Sequence, residues 1–173
     1  MKSDLIRIAL IGPESSGKTT LCSDLAKHYQ TIWVPEFARD YIASLNRQYT
    51  KEDILYCAEK QLELEEHLKS KANKILFSDT ELIVCKVWLL DLYGECPEWI
   101  EKKIDEQEYD LYLLTSPDLP FVQDPVRENP HRRQYFYDWY LLELEKRDFR
   151  YEVVEGIEEE RLKQAIEKIA LRF

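Results

Sequence analysis

An eight-residue segment near the amino terminus has the residue types and spacing that bind a triphosphate. The segment Gly12-Pro13-Glu14-Ser15-Ser16-Gly17-Lys18-Thr19 fits G-x-x-x-x-G-K-[ST] at every fixed position. The two glycines allow close backbone approach, and successive N–H groups of such a loop point towards phosphate oxygens. Lys18 is expected to reach the β- and γ-phosphates, and the Thr19 hydroxyl to ligate Mg²⁺. The segment predicts binding of a nucleoside triphosphate with Mg²⁺ and leaves the acceptor open.

The residues around this loop form the strand and helix that the motif requires. Residues 5–11 are an apolar run that predicts a buried strand, and Leu21, Leu25 and Tyr29 recur afterwards at helical spacing. This context argues against a chance match in an ordinary loop. The predicted nucleotide contacts are Gly12, Glu14, Ser15, Ser16, Gly17, Lys18, Thr19 and Thr20.

Two acidic residues stand at the ends of two further predicted strands, residues 31–36 and 74–79. In open α/β sheets, ligands bind at the carboxyl edge of the strands, where Glu36 and Asp79 would lie. Glu36 is predicted to be a general base that takes a proton from a substrate hydroxyl. Asp79 is the alternative base, or it holds Mg²⁺ directly or through water. The structural alternatives are a surface acid at a turn for Glu36 and a helix N-cap for Asp79.

A segment rich in proline and charge, residues 116–130, predicts a mobile lid. Arginine forks suit phosphate, so Arg127, Arg132 and Arg133 are candidates to close over the γ-phosphate. We predict catalytic roles for Arg127 and Arg132, against the alternative that these arginines are solvated surface residues. Asp124 of the same segment is predicted to contact the substrate.

Several side chains outside these segments are candidates for binding the acceptor. Arg39 is predicted either to clamp the substrate or to pair with Glu36. Gln61 is predicted to hydrogen-bond a base or carboxamide, or to be an exposed helix glutamine. Trp88 and Tyr49 have the rings to stack on an aromatic acceptor, although an aromatic residue within an apolar helix often belongs to the core.

The remaining pattern alternates short apolar strands with amphipathic helices. Thr50 to Asp53 has the character of a capping box, and Gly94 is suited to end a helix. Such alternation predicts a parallel sheet with helices on both faces, in a single domain covering residues 1–173. Beyond the segments above, the sequence predicts helices at 37–45, 51–71, 80–93, 97–106, 134–147 and 158–171, and strands at 109–115 and 151–154.

Composition argues against several other classes of function. The net charge of −10, without a basic stripe, disfavours nucleic-acid binding. No apolar run approaches membrane-spanning length and no signal-peptide pattern is present, so we expect no membrane partner and a cytoplasmic location. The cysteines lack C-x-x-C spacing and the three histidines are scattered, which predicts buried reduced thiols instead of a zinc site or a disulfide framework. These cysteines are Cys22, Cys57, Cys85 and Cys96.

Taken in order, four motifs resemble the ribosylnicotinamide kinase domain of NadR-type proteins. They are GPESSGKTTL, VPEFAR, FSDT with the nearby Trp88, and YDLYLLTSPDLPFVQDPVR. The first string is shared with many NTPases, whereas VPEFAR and LPFVQDPVR are more particular. The resemblance extends over about residues 6–161.

The resemblance implies a P-loop NTPase fold, that is, a three-layer α/β sandwich with a central five-stranded parallel sheet and a kinase-type lid. It also implies that ATP with Mg²⁺ phosphorylates the 5′-hydroxyl of nicotinamide riboside to give nicotinamide mononucleotide. By the same resemblance, Glu36 and Asp79 face the ribose, and Arg127 and Arg132 belong to the lid.

Full-length NadR proteins place an adenylyltransferase domain, and sometimes a DNA-binding domain, before the kinase domain. In this chain Met1 is followed almost at once by the first strand, so we expect it to lack those activities. The alternatives are a kinase of another nucleoside or small metabolite, and an ATP-binding switch without an acceptor. The oligomeric state stays open.

Overall fold

Alternating strands and helices run through the whole of the described chain. A computed structural model describes residues 5–107 and 109–173. Its elements in chain order are β1 (Ile6–Ile11), α1 (Lys18–His28), β2 (Trp33–Val34), α2 (Phe37–Ser44), α3 (Lys51–Lys69), β3 (Ile75–Asp79), α4 (Leu82–Tyr93), α5 (Glu98–Glu106), β4 (Leu111–Thr115), α6 (Arg133–Lys146), β5 (Tyr151–Val154) and α7 (Glu158–Ala170).

The five strands form one parallel sheet with the order β2-β3-β1-β4-β5. Strand β1 is central and pairs with β3 and β4, so that Leu10 lies opposite Asp79 and Ile11 lies opposite Leu114. Because the strands are parallel, their carboxyl ends meet at one edge, which carries the loop after β1 and the acids after β2 and β3. The predicted α/β fold with a five-stranded parallel sheet is confirmed.

Helices cover both faces of this sheet, since successive residues of β1 point to opposite sides. Ile8 and Leu10 are buried in a cluster with residues of α1 and α7. Ala9 and Ile11 are buried in a second cluster, with residues of α3, α4, α5 and α6. The central strand is therefore apolar on both faces, as expected for a sheet between two helical layers, and the predicted three-layer architecture is confirmed.

The start of α3 confirms the predicted capping box and shows a larger network around it. Asp53 accepts a hydrogen bond from the backbone N–H of Thr50 at 2.7 Å. The same carboxylate accepts from Arg47 at 2.6 Å and from the Tyr41 hydroxyl at 2.8 Å. The hydrogen bond from Arg47 lowers the pKa of Asp53 below its ordinary value. This network joins α2, which carries Arg39, to the start of α3.

Two element boundaries differ from prediction near the site. Strand β2 contains only Trp33 and Val34, because Pro35 cannot donate to the ladder. Helix α4 begins at Leu82, where the Glu81 carboxylate accepts from the backbone N–H of Ile83 at 2.9 Å. The alternative in which Asp79 caps this helix is therefore wrong, and Asp79 is available for the site.

Two expectations from composition can be compared with the structure. All four cysteines are free; Cys22, Cys57 and Cys85 are buried as predicted, whereas Cys96 is half-buried. Across residues 5–107 and 109–173, no helix combines the length and apolarity needed to cross a bilayer.

Candidate active site

The loop between β1 and α1 passes so close to the end of β4 that it requires glycine. A Cβ atom on Gly12 would lie 2.2 Å from Thr115 Oγ1 and 2.7 Å from the Thr115 carbonyl oxygen. Gly17 has a φ of 79°, in the left-handed region that favours glycine, and it is the N-cap of α1. Both glycines of the sequence motif are thus required by the backbone, as the motif predicts.

Side chains from distant parts of the chain hold this loop in shape. Ser16 Oγ donates to the Pro13 carbonyl oxygen at 2.7 Å and lies 2.6 Å from Thr115 Oγ1. Arg161 of α7 donates to the Ser16 carbonyl oxygen at 2.7 Å and forms an ion pair with Asp118. These contacts order the loop whose N–H groups are expected to bind phosphate.

Sequence analysis did not identify Arg161 as a functional residue. Its side chain is buried, and it shares one face of α7 with the buried residues Ala165 and Ile169 at spacings of four and eight. An arginine on the apolar stripe of an amphipathic helix must find polar partners inside the protein. That position was the available sequence indication of a structural role.

Lys18 lies at the centre of the site and bridges the loop. Its Nζ donates to the carbonyl oxygens of Gly12 and Pro13 at 2.8 and 2.9 Å. Burial lowers the pKa of Lys18, while the carboxylates of Glu36 and Asp79 oppose that shift. Both predicted acids are therefore close enough to act electrostatically on the lysine of the loop.

The two acids occupy different environments. Glu36 lines the cavity beside the loop, whereas Asp79 lies behind Thr19, whose Oγ1 donates to Asp79 Oδ2 at 2.6 Å. Burial, and then the negative charge of Asp79, raises the pKa of Glu36 to about 7, against the opposing effect of Lys18. Burial also raises the pKa of Asp79. A carboxyl with a pKa near 7 that faces a cavity is suited to general-base chemistry at neutral pH.

Thr19 and Asp79 together offer oxygen ligands that fit Mg²⁺. Asp79 Oδ1 is buried and has no hydrogen-bond partner within the described part of the chain. Over the same residues, no group of three His, Cys, Asp or Glu side chains is placed to hold a metal. A site with one carboxylate and one hydroxyl suits Mg²⁺, which commonly takes its remaining ligands from substrate phosphates and water.

A cavity of about 210 Å³ opens beside the loop and joins the two halves of the predicted site. One wall is the loop itself, including every predicted nucleotide-binding residue from Gly12 to Thr20. The other walls come from α2, from an aromatic group and from the segment before α6. The predicted residues outside the loop that line the cavity are Glu36, Arg39, Trp88 and Arg127, together with the candidate Tyr49.

The aromatic wall is built around Tyr49 and Trp88. Their ring centroids are 5.0 Å apart in an edge-to-face arrangement, and Trp88 Nε1 donates to the Tyr49 hydroxyl at 3.2 Å. The Tyr49 hydroxyl donates to Glu128 at 2.8 Å. Both rings also pack against the buried core. They are therefore half-buried residues that pack on the core and present part of their surface to the cavity.

The segment predicted to be a lid lies against the phosphate-binding loop. The Glu14 carboxylate accepts from the backbone N–H groups of Glu128 and Asn129 at 3.1 and 2.9 Å. Arg133 donates to the Leu119 carbonyl oxygen at 2.7 Å and to the Ser15 carbonyl oxygen at 3.3 Å. Arg133 thus ties the segment to the loop.

Of the arginines predicted to act on phosphate, only Arg127 lines the cavity. Its guanidinium donates to the Val122 carbonyl oxygen at 2.5 Å. Arg132 pairs with Asp91 of α4 at 2.5 Å and stacks over Phe136, and it does not line the cavity. In this structure the charge of Arg132 is directed to an acid of α4, and its catalytic role stays a prediction.

Asp124 is also placed differently from the prediction. It does not line the cavity, because Oδ2 accepts from Arg39 at 2.5 Å and Oδ1 accepts from the Val126 N–H at 3.0 Å. Asp124 therefore contacts Arg39, which itself lines the cavity, and the contact of Asp124 with substrate stays a prediction. The ion pair of Arg39 is with Asp124, so the alternative pairing of Arg39 with Glu36 is not the one observed.

Gln61 is not the exposed helix glutamine that one alternative predicts. It is only 6% exposed and does not line the cavity. Gln61 Oε1 accepts from the backbone N–H of Phe37 at 2.8 Å, and Nε2 donates to the Pro35 carbonyl oxygen at 3.2 Å. The carboxamide is engaged with the backbone on both sides of Glu36, and its contact with substrate stays a prediction.

Comparison with known proteins gives relatives over most of the chain. The profile of a family described as an AAA domain matches residues 7–161. The trifunctional NAD biosynthesis/regulator proteins NadR of Salmonella typhimurium and Escherichia coli are each 30% identical over 126 residues, which is 69% of this chain. The matched part is 30% of the length of those relatives.

Solved structures share the fold. A crystal structure of NadR protein in complex with NR superposes with a TM-score of 0.83 at 22% identity, over 97% of this chain and 51% of that one. A deoxyadenosine kinase from M. mycoides gives a TM-score of 0.63 at 14% identity, over 96% of this chain and 100% of that one. The resemblance to NadR-type proteins that the motifs indicated is confirmed.

Proposed function

The chain belongs to the AAA-domain family whose profile it matches, and on this premise we propose that it is an ATP-dependent kinase of nicotinamide riboside, forming nicotinamide mononucleotide. The observation that carries the proposal is one cavity with Lys18 and Glu36 on one side and the rings of Tyr49 and Trp88 on another. Two relatives are named for NAD biosynthesis, and one solved neighbour is a complex with NR.

On the donor side, the loop from Gly12 to Thr19 holds the triphosphate of ATP. Lys18 is held by hydrogen bonds to two loop carbonyls, so its charge is positioned before ATP binds. When ATP binds, Lys18 exchanges these bonds for hydrogen bonds to phosphate oxygens. Thr19 and Asp79 would hold Mg²⁺. When bound, this ion supplies positive charge that offsets the charge of the β- and γ-phosphates.

On the acceptor side, Glu36 accepts the proton of the ribose 5′-hydroxyl. The hydroxyl oxygen then forms a bond to the γ-phosphorus while the bond from that phosphorus to the β–γ bridging oxygen breaks, which releases ADP. A base whose pKa is about 7 is substantially ionised at neutral pH and can still take a proton. Lys18 and Arg39 favour the ionised form of Glu36 between turnovers.

The aromatic wall suits the nicotinamide ring. In nicotinamide riboside this ring is planar and carries a positive charge, and the face of a tryptophan or tyrosine attracts such a cation. Tyr49 and Trp88 would therefore bind the ring, and Arg127 would provide positive charge on the γ-phosphate side of the cavity.

The proposal is tested by measuring ATP turnover with Mg²⁺ in the presence and absence of nicotinamide riboside. We expect strong stimulation, with nicotinamide mononucleotide as product. Stimulation by a different nucleoside would support a kinase but would assign it an acceptor other than nicotinamide riboside. An absence of stimulation across a panel of nucleosides would contradict the proposal and favour an ATP-binding switch.

A further inference from the structure

We propose that Gln61 is a positioning residue for Glu36, and that its carboxamide holds the peptide groups on both sides of the glutamate. The inference rests on the proposed function and deepens it, because it names the side chain that directs the general base into the cavity.

Glu36 lies between β2 and α2, and the peptide groups on either side of it have no hydrogen-bond partners within those two elements. Strand β2 ends at Val34, so the Pro35 carbonyl lies beyond the ladder. Helix α2 begins at Phe37, whose N–H is one of the donors that a helix leaves without an intrahelical acceptor. Pro35 is exposed and Glu36 and Phe37 are half-buried, so a partner from another element can reach both groups.

Gln61 satisfies both groups with one side chain. Its Oε1 accepts from Phe37 N at 2.8 Å, and its Nε2 donates to the Pro35 oxygen at 3.2 Å. These groups belong to the two peptide units attached to the Cα atom of Glu36. Holding both units restricts the two backbone angles of Glu36, which are −68° and 107°, and so sets the direction of its side chain.

The N-cap position of α2 bears on where the Glu36 side chain is directed. Glu36 is the N-cap residue of α2, and its side chain makes no capping hydrogen bond in the described structure. A capping side chain at this position would accept from the second or third N–H of the helix, and glutamate is not among the preferred capping residues. Gln61 accepts from the first N–H, that of Phe37, and the Glu36 carboxyl lines the cavity.

Only a carboxamide of this length meets the requirement. It supplies one donor and one acceptor on the same planar group, whereas an ionised glutamate has acceptors only and a methionine has neither function in comparable strength. Gln61 is also anchored in the middle of α3, which packs against the core through Ile54, Cys57 and Ala58. The carboxamide that holds the two peptide groups beside Glu36 therefore belongs to a helix that is fixed by its packing on the core.

The test compares the parent protein with Gln61→Met, which keeps the shape of the side chain and removes both hydrogen bonds. We expect kcat to fall by about tenfold or more, because a misplaced base loses its near-attack geometry. The KM for ATP should stay within about twofold, since Gln61 does not touch the phosphate-binding loop. A parent-like kcat in this variant would overturn the inference.

A second readout does not depend on turnover. The carboxyl titration of Glu36 is followed by carbon-13 NMR and assigned with Glu36→Gln. Besides burial, the charges that act on Glu36 are Asp79, Lys18, Arg39 and Glu14, and Gln61→Met alters none of them. We expect the Glu36 midpoint to fall towards the ordinary range, because a released side chain becomes more hydrated. An unchanged midpoint would contradict the inference.

Controls separate positioning from general damage. Gln134→Met makes the same substitution at an exposed glutamine of α6 whose side chain donates to Asp138, and it should match the parent in both readouts. Gln61→Glu retains an acceptor for the Phe37 N–H and loses the donor to Pro35, so it replaces Gln61→Met if that variant does not fold. It should lower kcat, and full activity in Gln61→Glu would overturn the inference.

These measurements also distinguish the inference from the proposed function. If the parent transfers phosphate to no nucleoside, the proposed function fails. The Glu36 titration in Gln61→Met then decides the positioning role, with a lower midpoint supporting it and a parent-like midpoint rejecting it; Gln61→Glu is not used for this readout, because its added carboxylate raises the Glu36 midpoint by itself.

Discussion

At the scale of single residues, the site divides its chemistry between two carboxyl groups that differ in their neighbours. Asp79 is held by the Thr19 hydroxyl and has one buried oxygen without a partner among the described residues. Glu36 faces the cavity, with its carboxyl free of the helix cap. Sequence analysis left open which acid is the base. We propose Glu36 as the base and Asp79 as the residue that would hold Thr19 and Mg²⁺.

The pH dependence of catalysis follows from this division. The pKa of Glu36 is raised to about 7, so the base becomes protonated and inactive as the pH falls through that value. We expect kcat/KM to rise from pH 5.5 to about pH 8, and the midpoint of this rising limb should lie near pH 7. Asp79→Asn should move the limb to lower pH, because the negative charge of Asp79 contributes to the raised pKa of Glu36. A profile without a limb in the parent would contradict this assignment.

At the scale of elements, the loop motif was predictable because its fixed residue types carry its geometry locally. Gly12 and Gly17 need unusual backbone space, and Glu36 and Asp79 follow strands that end at one edge. Arg132 could not be assigned in the same way, since its partner Asp91 lies 41 residues away in sequence. Contacts of this kind depend on how helices pack, which a single sequence does not reveal.

Helix α7 provides a prediction at this scale, because it supports the loop through Arg161. Arg161→Met removes the donor to the Ser16 carbonyl oxygen. A buried carbonyl without a partner costs about 1–3 kcal/mol, so we expect the Kd for ATP to rise by about tenfold. Isothermal titration calorimetry measures it. Arg172→Met, which removes an exposed ion pair with Glu152, is the matched control, and equal affinities for the two variants would contradict the role.

At the scale of the whole molecule, the sheet is closed on both faces and buries several charged groups beneath the site. The alternation of strands and helices was enough to predict the layers. It did not predict the buried acids, because each lies in an otherwise ordinary segment. Glu65 is an example, since it is buried within the charged helix α3, where it pairs with Arg7 and the Tyr109 hydroxyl.

Glu81 makes the stability of the protein depend on pH. Burial raises the pKa of Glu81 to about 8, above the value of about 4.3 for an unfolded chain. The folded state therefore binds more protons between these values, and the free energy of unfolding contributed by Glu81 falls as the pH rises through this window.

Glu81→Gln keeps an acceptor for the Ile83 N–H and removes the ionisable group. Relative to the parent, we expect its unfolding free energy to rise by about 2 kcal/mol or more between pH 5 and pH 8. Urea denaturation at each pH measures this difference. Glu98→Gln is the control, at an exposed position of α5, and its unfolding free energy should change with pH as that of the parent does. If the unfolding free energy of Glu81→Gln also changes with pH as that of the parent does, a raised pKa of the buried Glu81 is contradicted.

The central claim is that Glu36 deprotonates a ribose hydroxyl beside the nucleotide held by Lys18. The most direct measurement is single-turnover formation of nicotinamide mononucleotide from nicotinamide riboside and ATP with Mg²⁺, comparing the parent with Glu36→Gln at equal nucleotide saturation. The account predicts product in the parent and a rate lower by about 10²–10⁴-fold in the variant, with ATP affinity retained. Parent-like product formation by Glu36→Gln would contradict it.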